Sequence, residues 1–576
     1  MITTVSQRRR CVVIERVGSA VVACVLLLFC LSAPAQGVLP SVRSRLPERS
    51  VVRPAGVPDD ATLESSGAVI GEVRLVRVNV FDPDIPDENI PLFRFVNGIH
   101  IVSRESTVAS QLLFRPGDRY DAKALRESER RLRGNGYLID ALIRPTAYAD
   151  GKVDLEVLTQ DTWTLKPEFG FGRKGGTNAT SVGLAEQNFF GTGARLAFTY
   201  EQNVDRRTQT LEYEDANLNS QHWQLAAEVA RNSDGDKQAL RVERPFYALD
   251  SRWAGGASMR NETRVDSVYD LGQIVESFRT HEREATAYGG LSAGLHDGWA
   301  TRWSGGITFD ERRASNVEGG TPAPLLPADR RLIYPWIGVE AVQDDFREER
   351  NFNLIGRVED VRFGWEARVK LGFATRALGS DRDALVFGGS TSKGFEWNPS
   401  HAWLLAAAAS GRVEDGALAD AVFSAATRYY WRQTSQYMFY AALGIDHGVN
   451  LDVDKQLTVG GDSGLRGYPL RYRTGQGRWL FTVEERAFTD WYPFRLFSVG
   501  GVVFFDMGAV TGSSLVQAPP LAQPTPKVLR DIGFGLRVGN MRSALGNVVH
   551  IDIAFPLDGD PSISRVQLIV AAQRSF

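Results

Sequence analysis

Between about Leu165 and Phe576, apolar and polar residues trade places at nearly every second position, in runs of roughly ten separated by turn-forming clusters. In ARLAFTYE, Leu196, Phe198 and Tyr200 occupy one face and Arg195, Thr199 and Glu201 the other. In TLEYE, Leu211 and Tyr213 oppose Thr210, Glu212 and Glu214; in WQLAAEVA, Trp223, Leu225, Ala227 and Val229 oppose Gln224 and Glu228. A side-chain period of two belongs to a β-strand. Soluble sandwiches alternate too, but usually in shorter runs, whereas about ten residues is the length of a tilted strand crossing a bilayer. Many runs end in aromatics, as at Tyr429, Tyr430, Trp431, Tyr437 and Tyr440, which favour membrane–water interfaces. The polar face then lines a wet lumen. About 16 strands would leave about 26 residues for each strand and its connection, with turns short on one side and long on the other. The pattern predicts an all-β transmembrane barrel of about 16 antiparallel strands.

Charge and the N-terminus narrow the class. The 66 Lys and Arg against 69 Asp and Glu give a net charge of −3, without the basic excess of a nucleic-acid binder. No long apolar run occurs after residue 35, so no helical span is expected there. Arg8, Arg9 and Arg10, the apolar stretch Val17 to Leu31, and Ala33-Pro34-Ala35 read as a secretory signal peptide over 1–35, cleaved between Ala35 and Gln36. Val-Val-Ala-Cys24 fits a lipoprotein site poorly, because most of the apolar core would then lie after the cleavage point, the wrong order. Cys11, Cys24 and Cys30 all fall in this leader, so the processed chain is expected to hold neither a disulfide nor a cysteine metal site.

Residues 36–70, rich in Pro, Arg, Ser and Val, show no period and read as a linker. From 71 the character changes. Val76, Val78 and Val80 oppose Arg77 and Asn79 as in a strand, while Val73 and Leu75 have the other parity; a bulge between Leu75 and Val76, or a strand starting at Leu75, would reconcile them. A short helix is expected over Ser106 to Leu113. A second runs from Ala122 to Arg133, capped by Asp121, with Leu125 and Leu132 on one face and Gly134-Asn135-Gly136 ending it. Strands Leu138–Tyr148 and Val153–Thr159 come next, joined at Asp150-Gly151. The order β-α-α-β-β suits one small α+β domain over 71–163, ahead of a barrel over 164–576.

Several stretches resemble the outer-membrane assembly-factor superfamily, which includes BamA, TamA and the two-partner secretion transporters. LLFRPGDRYDAKALRESERRLRGNGYL (112–138) is similar to part of a POTRA domain. EQNFFGTGARL (186–196), with Asn188, Gly191 and Gly193, is similar to the first periplasmic turn of these barrels. GGDSGLRGYPL (460–470) resembles their Arg-Gly-aromatic loop, which folds back into the lumen. VEERAF (483–488), FFDMGAV (504–510) and HIDIAFPL (550–557) resemble late barrel strands. The final VQLIVAAQRSF places Val566, Leu568, Val570, Ala572 and Phe576 on one face, interrupted by Arg574, and resembles a barrel insertion signal.

The late strands carry chemistry of their own. Thr482, Glu484 and Arg486 share one face of FTVEERA, and Val502, Phe504 and Asp506 share one face of VVFFDMG; Val503, Phe505 and Met507 form the apolar face assigned to lipid. Glu484 and Asp506 thus face the lumen, and parity alone prefers Glu484 to Glu485. A buried carboxylate needs a cationic partner, and the planar fork of Arg suits it. From the residues alone, Arg466 reads as part of an exposed hairpin bonded to nothing. The resemblance places it between Glu484 and Asp506, with Gly467 permitting a tight bend and Tyr468 packed beside it.

Three motifs look catalytic and are read otherwise. Gly290 to Gly294 matches G-x-S-x-G around Ser292, but a turn and a strand come after it, whereas that elbow needs a helix. Gly461-Asp462-Ser463-Gly464 lacks a partnering His motif. GGSTSKG (388–394) lacks the full phosphate-loop pattern. No catalytic residue, cofactor or metal is expected. The resemblance implies an outer-membrane protein that inserts or translocates polypeptides, caught by strand addition to a POTRA domain in the periplasm. Its expected partners are an extended polypeptide, outer-membrane lipid and accessory periplasmic proteins, with no nucleic acid. A passive channel is the alternative. One POTRA-like domain is fewer than assembly factors or two-partner transporters usually carry, and the reading leans to the assembly type.

Overall fold

The computed structural model describes residues 53–319, 323, 326–512, 528–540, 542, 548–558, 561 and 563–573. The expected cleavage point at Ala35 and Gln36, and Phe576, lie outside the described residues.

The stretch read as a linker is ordered before residue 70. Asp59 accepts a hydrogen bond from the backbone of Thr62 (2.8 Å) and caps helix α1 (Asp60–Ser65). Leu63 on α1 is fully buried, and with Ala68 it joins the core of the following domain. Strand β1 (Val69–Val78) then starts two residues ahead of the expected boundary. Two apolar anchors among prolines and arginines present no period to read.

The domain continues through α2 (Pro91–Ile99), α3 (Glu105–Ala109), α4 (Ala122–Arg133), β2 (Leu138–Ala149) and β3 (Lys152–Asp161). Its sheet has the order β1-β3-β2, with β1 parallel and β2 antiparallel to β3. Asp121 accepts from the backbone of Lys123 (2.8 Å) and Ala124 (3.3 Å) to start α4, and Leu125 and Leu132 are buried against the sheet. Asp150 and Gly151, both with positive φ, turn β2 into β3. Helix α2 has no counterpart in the expected order. The β1 irregularity also lies elsewhere: the register shifts between Ile70 and Val73, not at Leu75–Val76. Val73 and Leu75 pack on the main core, whereas Val80 joins a second cluster with Phe81 and Phe93, so the two parities serve two different surfaces.

The barrel is closed by 20 antiparallel strands, not about 16. They are β4 (Leu165–Lys174), β5 (Thr177–Phe189), β6 (Ala194–Gln202), β7 (Arg207–Leu218), β8 (Trp223–Asn232), β9 (Gly235–Arg244), β10 (Trp253–Asp270), β11 (Gln273–His296), β12 (Trp299–Asn316) and β13 (Arg330–Gln343). After a separate hairpin, β14 (Phe346–Arg350) and β15 (Val358–Arg362), come β16 (Glu366–Ala374), β17 (Ala384–Asn398), β18 (His401–Glu414), β19 (Ala417–Arg432) and β20 (Tyr437–Val449). A second small hairpin, β21 (Leu457–Val459) and β22 (Arg473–Gly475), precedes β23 (Gly477–Phe488), β24 (Phe497–Thr511), β25 (Leu529–Asn540), β26 (Val548–Pro556) and β27 (Gln567–Gln573). The larger count has a simple cause. Connections such as Gly175-Gly176, Leu271-Gly272 and Asp297-Gly298 are two-residue turns at both ends of the barrel, so a strand with its connection uses fewer residues than expected.

The faces sort by chemistry. Phe198, Leu211, Val229, Met259, Ile337 and Val503 are exposed on the outer wall. Inside, charges pair, as in Lys237–Glu228 (2.7 Å) and Arg302–Glu340 (2.7 Å). Among the described residues no helix is long and apolar enough to cross a membrane.

Candidate functional site: a lumen lock beside an under-paired seam

The chain between β20 and β23, at the end of the barrel away from the α+β domain, turns back into the lumen and carries Arg466. Its Nε and Nη2 donate to the two carboxylate oxygens of Asp506 (2.7 and 2.9 Å), a bidentate pair. Nη2 also reaches Glu484 (3.0 Å) and Nη1 lies 3.7 Å from Asp552. The three carboxylates are buried. Glu484 in turn accepts from Arg486 (2.8 Å), and Asp552 pairs with the fully buried Arg537. Low dielectric strengthens such pairs, and removing one partner leaves a buried charge uncompensated.

The structure thus places Arg466, Glu484 and Asp506 together, and adds Asp552, Arg486, Arg537 and Phe504. Asp552 carries a readable signal: in HIDIAF it shares the inward parity of His550 and Ala554. The ring against the guanidinium is that of Phe504, 3.5 Å from its centroid. Tyr468 is instead fully buried against the rim, its hydroxyl 2.7 Å from Arg530 O and 3.0 Å from Asp558 O. The expected bend is present, closed by Tyr468 N donating to Leu465 O (3.1 Å), but its conformation is not what requires glycine at Gly467. Its φ is not in the left-handed region; a Cβ there would come within 2.7 Å of Asp531 Cβ, so the need is for space.

A second element enters the lumen from the domain end. The connection from β13 to β16 is a 344–365 excursion containing the β14–β15 hairpin. Phe352 at its tip is fully buried, stacked on Tyr430 with centroids 3.8 Å apart, and clusters with Ile355, Met438, Phe488 and Val502 of the barrel interior. Arg486, already bound to Glu484, donates to Phe352 O (3.4 Å). At the hairpin's base Arg133 of α4 pairs with Asp360 (2.6 Å) and Glu348 (2.8 Å). Direct contacts therefore run from the α+β domain through the hairpin to the lock. Only the excess length of this interval signals it in the sequence.

The turn at Asn188 to Gly193 docks on the same domain. Asn188 Nδ2 donates to Ser103 Oγ (2.9 Å), and its Oδ1 accepts from Gly193 N (2.7 Å). Gly191 O accepts from the backbone of Arg104 and the hydroxyl of Thr107, each at 2.9 Å. Gly191 and Gly193 have φ of 74° and 79°, and a Cβ on Gly193 would lie 2.7 Å from the Tyr137 ring, so conformation and space both require glycine. The next turn brings His222 onto the Tyr247 ring (3.7 Å) near Arg131. Burial and the neighbouring guanidinium of Arg131 lower its pKa to about 4.

Among the described residues, strands β4 and β27 close the barrel through a single ladder pair, Val570 opposite Arg173. Leu568 and Val570 lie on β27 with Ile569 and Ala571 buried between and beyond them. The lock loop touches both sides of this seam. Tyr468 holds Arg530 at the start of β25 and Asp558 after β26, while Pro469-Leu470 presses on the β4–β5 turn, where a Cβ on Gly175 would collide with Leu470 N.

Ser292 lies near the end of β11, bonded to Thr301 O (2.7 Å), and the chain continues into β12. Among the described residues no group of three His, Cys, Asp or Glu could hold a metal ion.

No family model matches the chain, and no curated protein sequence matches it. Among solved structures it is similar to BamA from Haemophilus ducreyi lacking POTRA domains 1–3, at 13% identity over 87% of this chain and 83% of that one, with a TM-score of 0.36. It is also similar to CdiB from Escherichia coli, at 11% identity over 88% and 77% with a TM-score of 0.43. CdiB from Acinetobacter baumannii matches at 11% identity over 87% and 73%, with a TM-score of 0.39. None of these likenesses lends a role to an individual residue.

Proposed function

We propose that this chain is a bacterial outer-membrane protein that inserts or translocates polypeptides, working at the β4–β27 seam. The α+β domain is its periplasmic POTRA-like receptor. β1 and β2 are the edge strands of the sheet. Pro145 marks β2 as an edge, since proline cannot donate to a ladder. An extended substrate would add to such an edge through main-chain bonds that tolerate many sequences.

One observation carries the reading: among the described residues the barrel is laddered throughout except at one junction, and the loop bearing Arg466 reaches from β25 and the end of β26 to the β4–β5 turn across it. Opening there requires parting one ladder pair and shifting a loop whose anchor is the buried ion cluster. The protein is not an enzyme in this reading; Ser292 is structural. Energy would come from the folding or insertion of the substrate itself. The assembly-factor role is favoured over two-partner secretion, because both mouths of the lumen are occupied by the chain's own segments.

A passive channel is the second reading. It is favoured by a cavity of about 670 Å³ lined by Arg302, Trp336, Glu340, Arg368 and Lys370. Deleting residues 71–160 separates the two. The proposal expects the barrel to reach the outer membrane while delivery of its client polypeptides, read from the outer-membrane and secreted protein profiles, is lost. Unchanged profiles with altered small-solute flux would support the channel.

A further inference from the structure

Helix α2 is absent from the order of elements expected for the domain, and it has two apolar faces. Inside, Phe93 stacks on Phe81 with ring centroids 3.9 Å apart, in a cluster with Val80, Val96, Trp163 and Leu496. Leu496 comes from the β23–β24 turn. Arg542, between β25 and β26, donates to Val80 O (3.1 Å) and to Glu88 (2.7 Å) just ahead of the helix. The helix is thereby fixed at the domain-end rim of β23 to β26.

Outside, Leu92, Phe95 and Ile99 lie three and four residues apart and are 59%, 64% and 51% exposed. Ile85, Ile90 and Ile101 flank them, also exposed. A contiguous apolar patch of this kind marks an interaction surface. Its neighbours indicate the partner. The β23–β24 turn, which supplies Leu496, also exposes Trp491 and Phe494, and the outer wall beyond it continues apolar through Val503, Ile532 and Phe534. Trp at such a junction is what a bilayer interface selects. Arg94, exposed on α2 and bonded to Asn89 (2.8 Å), sits beside the patch as a cation for headgroups.

We propose that α2 lies in the inner-leaflet interface of the outer membrane, with Leu92, Phe95 and Ile99 set among phospholipid acyl chains. The helix then ties the periplasmic domain to lipid beside the β23–β26 wall, next to the seam. This rests on reading the barrel as membrane-embedded, so the test carries a control for that reading.

Single-cysteine variants of the full chain, with Cys11, Cys24 and Cys30 replaced, are labelled with an environment-sensitive fluorophore. They are reconstituted in phosphatidylethanolamine–phosphatidylglycerol vesicles containing acyl-chain spin-labelled lipid. Val503→Cys reports the outer wall, Phe95→Cys the proposed face, and Lys123→Cys an exposed position on α4. The expected result is quenching of roughly two-fold or more at positions 503 and 95 and none at 123. Quenching at 503 but not at 95 overturns the proposal. If 95 is then reached by aqueous iodide, the face is in water; if it is reached by neither quencher, another segment or a second copy covers it. Absence of quenching at 503 overturns the membrane reading itself, and the proposal with it.

Discussion

The β4–β27 seam and the wall from β10 to β12 are built from the same alternating strands and are held very differently. On the wall, β10 pairs with β11 along all of its 18 residues, and β11 pairs with β12 from Phe278 to His296 with one irregularity. At the seam a single pair joins the sheet among the described residues. The wall's internal charges are half-buried pairs such as Arg264–Glu282 (3.0 Å), whereas the cluster near the seam is deeply buried and crosses between a loop and three strands. Ladder strength and side-chain anchoring are thus traded against one another around the barrel. The guanidinium anchors the loop to β23, β24 and β26, and the same loop reaches on through Pro469-Leu470 to the β4–β5 turn.

That contrast can be broken or sharpened experimentally. The largest difference is expected in hydrogen exchange. In lipid nanodiscs, amides of β4 and β27 should exchange roughly 100-fold or more faster than those of β10 and β11, because local opening free energies track the bonds that must part. Equal protection would erase the distinction. Next comes the domain-end hairpin. Replacing residues 346–362 by a short Gly-Ser linker should raise conductance in planar bilayers several-fold, since Phe352 and Ile355 leave the lumen. Unchanged conductance would show that the lumen is blocked elsewhere.

A smaller effect is expected from point substitutions. Arg466→Ala should cost about 3–5 kcal/mol, read as a lowered unfolding midpoint in detergent, by stranding Asp506 and Glu484. Arg264→Ala on the wall should cost less than that, because Arg264 and Glu282 each keep 19% of the side chain in the wet lumen, where solvent screens the carboxylate left behind. The smallest effect concerns pH. The lowered pKa of His222 means that its stabilising contribution is full above about 6.5. It is lost as the pH falls toward about 4, where the folded protein finally takes up the proton. Docking of the domain on the β7–β8 turn, monitored by cross-linking, should weaken over that window in wild type and not in His222→Gln.

The sequence is legible where local chemistry is periodic or capped. Asp121, Leu125 and Leu132 define α4, and the inward parity of Glu484 and Asp506 comes from alternation alone. What stays hidden depends on contacts far apart in the chain. Phe352 and Tyr430 meet only once the strands around them are in place, and nothing in NFNLIG marks it as lumenal. Helix α2 does carry a helical period, with Leu92, Phe95, Val96 and Ile99 at i, i+3, i+4 and i+7, but it is only nine residues long and follows the proline- and acid-rich FDPDIPDENI, which reads as loop. Tight turns at one end only would give about 16 strands; tight turns at both ends give 20. Tyr468 shows that adjacency in sequence is not packing: its ring points to the rim, and Phe504 takes the place beside Arg466.

The most direct measurement closes the seam reversibly. Arg173→Cys with Val570→Cys places a disulfide across the Val570–Arg173 ladder pair, and Ala257→Cys with Ala287→Cys places one across the β10–β11 wall. The account predicts that oxidation of the seam pair stops delivery of client polypeptides to the outer membrane or beyond, that reductant restores it, and that the wall disulfide changes nothing. Undiminished delivery through an oxidised seam would contradict it.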